Sequence, residues 1–360
     1  MSKRILVVGG VAGGASAAAR ARRLDEKAEI VIFERGEHVS FSNCSMPYFL
    51  SRAIADSASL VMMDPTQFKN KYNIEVRTQH EVTSIDRSKK TIQVKNLLTG
   101  AACEEPYDTL ILSPGGEPVM PKAIEGINNK NVFSIRNVTD IARLDSCLRT
   151  GQVNQIAVVG GGALGCEVAE NIVLAGKQVT LIEAADQILT FFDYDMAQIL
   201  HKEMLDQGIS LILKDGVKKI RNDSIELVSG KIVPAQAVVM AIGIRPESTL
   251  AKNAGLEIAE NGCIRVNTNY QTSDPDIYAV GDVIEVFNAL THKPMPLALA
   301  FPAQLEARAA ADHIYGLQNR QKGFLGSSVL RVFNLIAACT GLNEKTAKAA
   351  DFSYDTAYVI

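Results

Sequence analysis

Paired cysteines are what this chain most plainly lacks: its six, Cys44, Cys103, Cys147, Cys166, Cys263 and Cys339, include no CxxC or CxxxxC spacing. That absence argues against a zinc site and a secreted disulfide framework, and it fits a reducing cytoplasm. An excess of one charge is also missing. Lys plus Arg number 37 against 40 Asp plus Glu, a net charge of −3, which offers no general attraction to nucleic acid or an anionic membrane. Any polyanion must then be met locally, by a few placed Arg or Lys residues. No uncharged apolar run reaches 18 residues, so no transmembrane helix is predicted. The opening MSKRILVVGGVAGGASAAA has the basic-then-apolar order of a signal peptide. Its central glycines suit a strand–turn–helix better, and no targeting leader is expected.

What is present is an average globular composition, 47% hydrophobic and 21% charged, over 360 residues, room for two or three domains. One pattern occurs twice: a short apolar strand, a glycine cluster, an Ala-rich helix and a strand ending in Glu. The first copy runs through Arg4–Val8, the glycine turn 9–14, a helix to Leu24 and Glu29–Glu34. The second runs through Gln155–Val159, the turn 160–165, a helix to Ala175 and Gln178–Glu183. Each reads as a βαβ unit of a doubly wound α/β fold with a buried parallel strand. Further buried strands are predicted at Tyr107–Leu112, leading into Ser113-Pro-Gly-Gly, and at Ala237–Ile242, leading into Gly243. The run 273–282 reads as a turn, a strand and a Gly-Asp stop. A first nucleotide fold, interrupted by the second and resumed later, explains this order: 1–112 with 250–323, and 113–249 between them.

From Phe324 something new begins. Ser328–Ala337 reads as a strand, Asn343 as the cap of a helix through Ala350, and Ser353–Ile360 as another strand. Thirty-seven residues, 324–360, are too few to bury a core of their own. The expectation is the opening of a third, α+β domain whose remainder is missing.

The second glycine cluster is a full GxGxxG. Gly160 allows a tight turn, Gly162 lets backbone approach a pyrophosphate, Gly165 permits close helix–strand contact, and the phosphates rest on the helix N-terminus. Glu183, 23 residues after Gly160, ends the next strand where a carboxylate accepts ribose hydroxyls. No Arg or Lys lies between Glu183 and Asp193 to receive a 2′-phosphate, which favours NADH over NADPH. In the first cluster Gly9 and Gly14 hold the outer positions, Val11 replaces the middle glycine, and Glu34 again ends the strand. Asp282 closes a Gly-Asp strand end, where a carboxylate suits the ribityl hydroxyls of FAD.

Cys44 lies in Ser-Phe-Ser-Asn-Cys-Ser-Met-Pro-Tyr, where a short helix begins, with Pro47 suited to its first turn. Helix N-terminal amides are expected to lower its pKa. Cys103 is 59 residues on, so no local disulfide forms. Cys44 must instead cycle through a mixed disulfide with a small thiol, or through a sulfenic acid. Arg20, Arg22 and Arg23 form a basic cluster on the first helix, able to meet a polyanion.

Together these residues resemble the flavoprotein pyridine nucleotide-disulfide oxidoreductases. The likeness is carried most specifically by Gly9–Leu24, Glu34–Tyr48 with its Ser-Phe-x-Asn-Cys, Leu110–Gly116, Gly160–Glu167 and Thr272–Asp282, and it extends to Thr340–Lys345. It looks nearest to the single-cysteine branch containing coenzyme A-disulfide reductases, NADH oxidases and NADH peroxidases. Oxidases and peroxidases typically carry a histidine where this chain has Ala12, which, with Asn43-Cys44, favours the reductase type. The resemblance implies two Rossmann-like domains and the start of a dimer-interface domain. It implies a cytoplasmic homodimer passing electrons from NAD(P)H through FAD to Cys44, reducing coenzyme A disulfide or a related persulfide or polysulfide. Two other readings stand beside it: an oxidase or peroxidase using a Cys44 sulfenic acid, and a truncated, catalytically incomplete nucleotide-binding fragment. Carried onto this sequence, FAD contacts fall to Gly9, Gly10, Ala12, Gly13, Gly14, Glu34, Arg35, Val82, Ser113, Gly115, Asp282 and Pro302. Nicotinamide dinucleotide contacts fall to Gly160, Gly162, Gly165, Glu183 and Gly243. Ser16, Arg20, Arg23, Ser40, Asn43, Lys71 and Gln304 are implied to meet substrate, with Cys44 and Asn43 at the chemistry. Phe301, ahead of Pro302-Ala303, stands where the family usually has glycine.

Overall fold

In the computed structural model, which describes residues 2–318 and 323–359, the repeated pattern forms two five-stranded parallel sheets of matching plan. The first is centred on β1 (Arg4–Val8), followed by helix α1 (Ala12–Leu24) and strand β2 (Glu29–Glu34). Its order is Ile277–Ala279, Thr109–Leu112, β1, β2 and β3 (Glu75–Thr78). The second has Gln155–Val159 at its centre, flanked by Gln178–Ile182 and then Ser210–Ile212 on one side, and by Ala237–Met240 and then Val132–Phe133 on the other. Every neighbouring pair in both sheets is parallel. Parallel strands need both faces covered, and their sequences accordingly read as unbroken apolar runs. Ile5, Leu6 and Val7 are fully buried, as are Ala157 and Val158.

The two sheets differ in where their outermost strand beyond the central strand comes from. In the second sheet it lies upstream in sequence. In the first it is Ile277–Ala279, supplied only after the second sheet is complete. The chain therefore crosses between the sheets twice, and the crossings run side by side: Gly116–Pro118 pairs antiparallel with Ile244–Pro246. The alanines of α1 permit a close helix–helix contact. Ala17, Ala18 and Ala21 are fully buried, facing helix Ala300–Ile314 with its buried Ala307, Ala310 and Ala311. The same contact takes Arg20 into an ion pair with Asp312 at 2.6 Å.

Several strand expectations need correction at the edges. Thr109–Leu112 and Ala237–Met240 are shorter than read, because pairing with β1 and with Gln155–Val159 ends there. Ser328–Ala337 is not one strand but the greater part of a hairpin, Ser328–Val332 with Leu335–Cys339, reversing at Phe333 with φ +51°. Asn343 caps helix Glu344–Ala349 with a reciprocal capping box, as expected. No strand forms over 353–359: this exposed stretch has no partner strand among the described residues, and a lone strand cannot satisfy its backbone groups. Ile360 lies outside the described residues. The hairpin packs on helix Ala163–Leu174, with Leu330, Val332 and Phe333 buried in the same cluster as Val168 and Ile172.

Candidate active site

The two glycine turns are built alike. Gly9 takes φ +90° and its N–H donates to the Phe33 carbonyl at 2.8 Å; Gly160 takes φ +109° and donates to the Ile182 carbonyl at 2.8 Å. A Cβ on Gly14 or on Gly165 would sit 1.9 Å from the carbonyl oxygen of Gly9 or Gly160 respectively, so only hydrogen fits where each helix crosses its strand. The middle position differs. Gly162 faces open space, with nothing within 4 Å of a would-be Cβ, which is room for a pyrophosphate to reach the backbone. Val11 occupies the same place in the first turn, as the residue before α1. Neither helix has a capping side chain or an acidic residue in its first turn, so both N-termini suit an anion.

At the end of each second strand the acidic residue closes the turn. Glu34 accepts from the N–H groups of Gly10 (2.9 Å) and Gly36 (2.8 Å). Glu183 accepts from those of Gly161 (2.5 Å) and Ala185 (2.7 Å). Backbone donors hold each carboxylate in place and leave further lone pairs to accept hydroxyls. Around the first turn, Ser113 donates its N–H to Val8 at 2.8 Å, and its Oγ lies 2.5 Å from a would-be Cβ on Gly13. Gly115 (φ +75°) and Gly243 (φ +110°) both border open space. Pro302 is buried on the first turn of Ala300–Ile314 and Val82 is buried in the first core, whereas Arg35 is exposed and pairs with Glu117 at 3.1 Å. The Glu117 carboxyl is held down to about 2, first by a hydrogen bond with Glu247, then by Arg245 and Arg35.

Cys44 is carried by a loop tied to the first glycine turn. The Ser40 N–H donates to the Gly10 carbonyl, and the Ser42 N–H to Leu60, each at 2.8 Å. Cys44 then falls in a 3-10 turn, Asn43–Ser45, ahead of helix α2 (Met46–Leu50). Met46, Phe49 and Leu50 bury themselves in the core of the second sheet, and Ser51 Oγ donates to Asn171 Oδ1 of helix Ala163–Leu174 at 2.6 Å. The cysteine therefore lies at the seam between the two nucleotide folds. Cys44 and Asn43 are exposed.

The expectation of a depressed thiol pKa is overturned. Burial around the sulfur raises the Cys44 pKa, and the charges of Glu167 and then Asp282 raise it further; its own backbone amide opposes them only in part. Five residues of helix and a single local amide are too weak a dipole to outweigh desolvation and two carboxylates. Both acids are themselves perturbed. Burial and then the neighbouring Glu170 push the Glu167 carboxyl up to about 7. Burial also raises Asp282, opposed by the positive charge of Arg136.

Glu167, Arg136 and Glu306 were not singled out from sequence. Glu167 follows Gly165-Cys166 directly, so its helix was legible but its approach to a cysteine more than a hundred residues earlier was not. Arg136 donates to the Pro114 carbonyl at 3.0 Å, with Glu117 3.5 Å away and its charge felt by Asp282. No local signal marks it. Glu306 is buried behind Gly281.

The basic cluster on α1 also needs revision. Arg20 is committed to Asp312. Arg22 is buried, donating to the carbonyls of Asp25, Glu26, Tyr72 and Asn73, so it braces the fold rather than facing a ligand. Arg23 is exposed, and its guanidinium lies 5.7 Å from the centre of the Tyr72 ring, which the exposed Lys71 also covers at 5.4 Å. Arg23 and Lys71 are thus brought together around one aromatic ring. Ser16 is half-buried on α1 and Gln304 half-buried on Ala300–Ile314, while Phe301 is 67% exposed.

The family model for pyridine nucleotide-disulphide oxidoreductases matches residues 3–356. The chain belongs to that family. As a pyridine nucleotide-disulphide oxidoreductase it is an FAD- and NAD(P)H-binding flavoprotein. It is 33% identical over 353 residues to the coenzyme A disulfide reductase of Staphylococcus epidermidis, covering 98% of this chain and 79% of that protein. Reduced CoADR-RHD of Bacillus anthracis superposes with a TM-score of 0.96 at 42% identity, over 99% of this chain and 64% of that one. An NAD-dependent persulfide reductase from A. fulgidus superposes with a TM-score of 0.93 at 32% identity, over 96% of this chain and 65% of its own. The chain thus spans slightly less than two thirds of those two solved proteins. The residues of both glycine turns fit a dinucleotide: glycines where a Cβ would collide, open space at Gly162, and a backbone-anchored carboxylate at each strand end. No described helix is long and apolar enough to cross a membrane.

Proposed function

We propose that this chain uses NADH, through FAD, to reduce a small disulfide or persulfide, coenzyme A disulfide first among them, with Cys44 as the nucleophile. The observation that carries this is Cys44 itself: exposed at the seam between two dinucleotide-type folds, under the charge of Asp282 and Glu167, and with all six cysteines free. None of the other five cysteines is paired with it, which supports exchange with a small disulfide or persulfide.

In this reading 1–112 and 250–323 form the FAD domain, 113–249 the NAD domain, and 324–360 belongs to a dimer-interface domain of a cytoplasmic homodimer. FAD is held by Gly9, Gly10, Ala12, Gly13, Gly14, Glu34, Arg35, Val82, Ser113, Gly115, Asp282 and Pro302, with Arg136 added. NADH is held by Gly160, Gly162, Gly165, Glu183 and Gly243, and its preference over NADPH rests on the lack of Arg or Lys after Glu183. Arg23 and Lys71, gathered on Tyr72, are the cations best placed for a coenzyme phosphate, with Ser16, Ser40, Asn43 and Gln304 along the pantetheine arm. Arg20 contributes less, being held by Asp312.

Cys44 attacks one sulfur of the disulfide as a thiolate. The other half leaves as a thiol after taking a proton, and Cys44 remains in a mixed disulfide. Two electrons and a proton then cleave that bond, releasing the second thiol and restoring Cys44. FAD, when bound, supplies the two-electron transfer from NADH. Glu167, whose acid titrates near neutrality and whose charge acts on the sulfur, is the carboxyl suited to hold the proton Cys44 gives up.

The test is NADH consumption by the yellow purified protein with coenzyme A disulfide and with persulfides. The expected result is turnover that Cys44→Ser lowers by about a thousandfold or more. Absence of consumption with every sulfur substrate would falsify the reading, as would equal turnover in the variant.

A further inference from the structure

We propose that Glu306 is a positioning residue of the flavin seat: its buried carboxyl props the Gly281–Asp282 turn, and ionising that carboxyl loosens FAD. The inference rests on the FAD reading above. Glu306 lies on helix Ala300–Ile314 and is 1% exposed. Its Oε2 accepts the Gly281 N–H at 2.6 Å, whereas its buried Oε1 has no hydrogen-bond partner. A would-be Cβ on Gly281 would lie 3.7 Å from Ala303 Cβ and from Ser113 Oγ. That same Ser113 oxygen faces Gly13 of the first glycine turn. Carboxyl, Gly-Asp turn, Ser113 and glycine turn therefore form one continuous packed stack.

A carboxyl bonded on one oxygen alone, in an apolar interior, is costly to ionise. The surrounding charges add to that cost. Asp282 lies on the turn it supports and disfavours its ionisation, and burial with Asp282 lifts the carboxyl to about 7 against the opposing Gly281 amide. The phenol of Tyr270 also faces it. From α1, Arg20 is spent on Asp312 and Arg22 on backbone carbonyls. The one cation on β1, Thr109–Leu112 and Ile277–Ala279 is Arg4, paired with Glu29 and Glu105 at the far end; Tyr278 bonds His313, and the charge of Arg136 acts on Asp282. FAD carries two phosphate charges, so its binding favours the neutral acid. By linkage the neutral acid then favours FAD, and retention falls as pH rises through the titration.

The experiment follows flavin released on dilution of the holoenzyme, read by fluorescence across about pH 5.5 to 8.5, for wild type, Glu306→Gln and Asp282→Asn. The expected result is FAD bound about tenfold more weakly at the alkaline end in wild type. Glu306→Gln, which keeps the shape without a proton to lose, gives a flat profile at the tight limit. Asp282→Asn, which removes the neighbouring charge that disfavours ionisation, keeps the profile but moves its midpoint to lower pH. A flat wild-type profile overturns the inference. So does an unchanged profile in Glu306→Gln, or a flat one in Asp282→Asn, which assigns the titration to Asp282. Should Glu306→Gln not fold, the wild-type and Asp282→Asn profiles still decide. Protein isolated without any FAD counts against the flavoenzyme reading instead.

Discussion

Glu34 and Glu183 perform the same task in two copies of one motif. Each carboxylate receives the N–H of the second glycine of its turn and the N–H two residues past itself. Because one amide oxygen cannot serve two backbone donors so well, Glu34→Gln leaves one N–H of the first turn poorly paired, and Glu183→Gln does the same in the second. Glu34→Gln is expected to weaken FAD, and Glu183→Gln to raise KM for NADH, each by about ten- to a hundredfold, the equivalent of ~1.5–3 kcal/mol for a hydrogen bond to a charged group. Flavin content after gel filtration checks the first and steady-state kinetics the second. A swap of the two effects contradicts the assignment of the two folds.

Cys44 and Glu167 supply a second prediction. Burial and then the Glu167 charge raise the thiol pKa, so Glu167→Gln should lower it and speed alkylation severalfold near neutral pH. The iodoacetamide rate against pH reads this directly. An unshifted profile means the carboxylate does not act on the sulfur.

Glu170 anchors the C-terminal hairpin to the second fold. Buried on helix Ala163–Leu174, it accepts the Phe333 N–H at 2.9 Å and lies 3.8 Å from the Arg331 guanidinium. Glu170→Ala leaves that buried N–H unpaired and opens a void, which should cost about 2–3 kcal/mol. The loss is expected to appear first as faster amide exchange across 330–335, before global unfolding.

Stability should depend on pH through Glu306. Its folded pKa, about 7, is raised above an ordinary carboxylate value of 4.5. Below that ordinary value both states are neutral and its contribution is fully present. As pH rises the unfolded chain ionises first, so stability is lost through the window and is gone above about 7. The ceiling is on the order of 3 kcal/mol. Urea unfolding at about pH 5 and about pH 8 should show the loss in wild type but a smaller one in Glu306→Gln. Equal losses in both proteins rule Glu306 out as the cause.

Much of the fold was legible because it rests on local rules. The apolar runs at β1 and Gln155–Val159, the glycines that must lie against a carbonyl, and the acids at Glu34 and Glu183 all follow from nearest-neighbour geometry. Periodicity and steric limits act within about thirty residues, so one βαβ unit declares itself without help. The exposed cysteine at the head of a short helix was equally visible.

What needed the tertiary structure is everything that depends on charges and edges brought from far along the chain. Arg22 reads as a cation ready for ligand until the Tyr72 and Asn73 carbonyls close over it. Cys44 reads as a helix-activated thiolate until Glu167 arrives from the other fold. Ser353–Ile360 reads as a strand, yet a strand exists only where a partner edge is available, and none pairs with its described residues 353–359. Composition and spacing determined that two dinucleotide folds and a lone thiol are present. Which carboxylates face that thiol, and which arginines stay free, was decided by packing, because desolvation and Coulomb energies depend on distance through space rather than along the sequence.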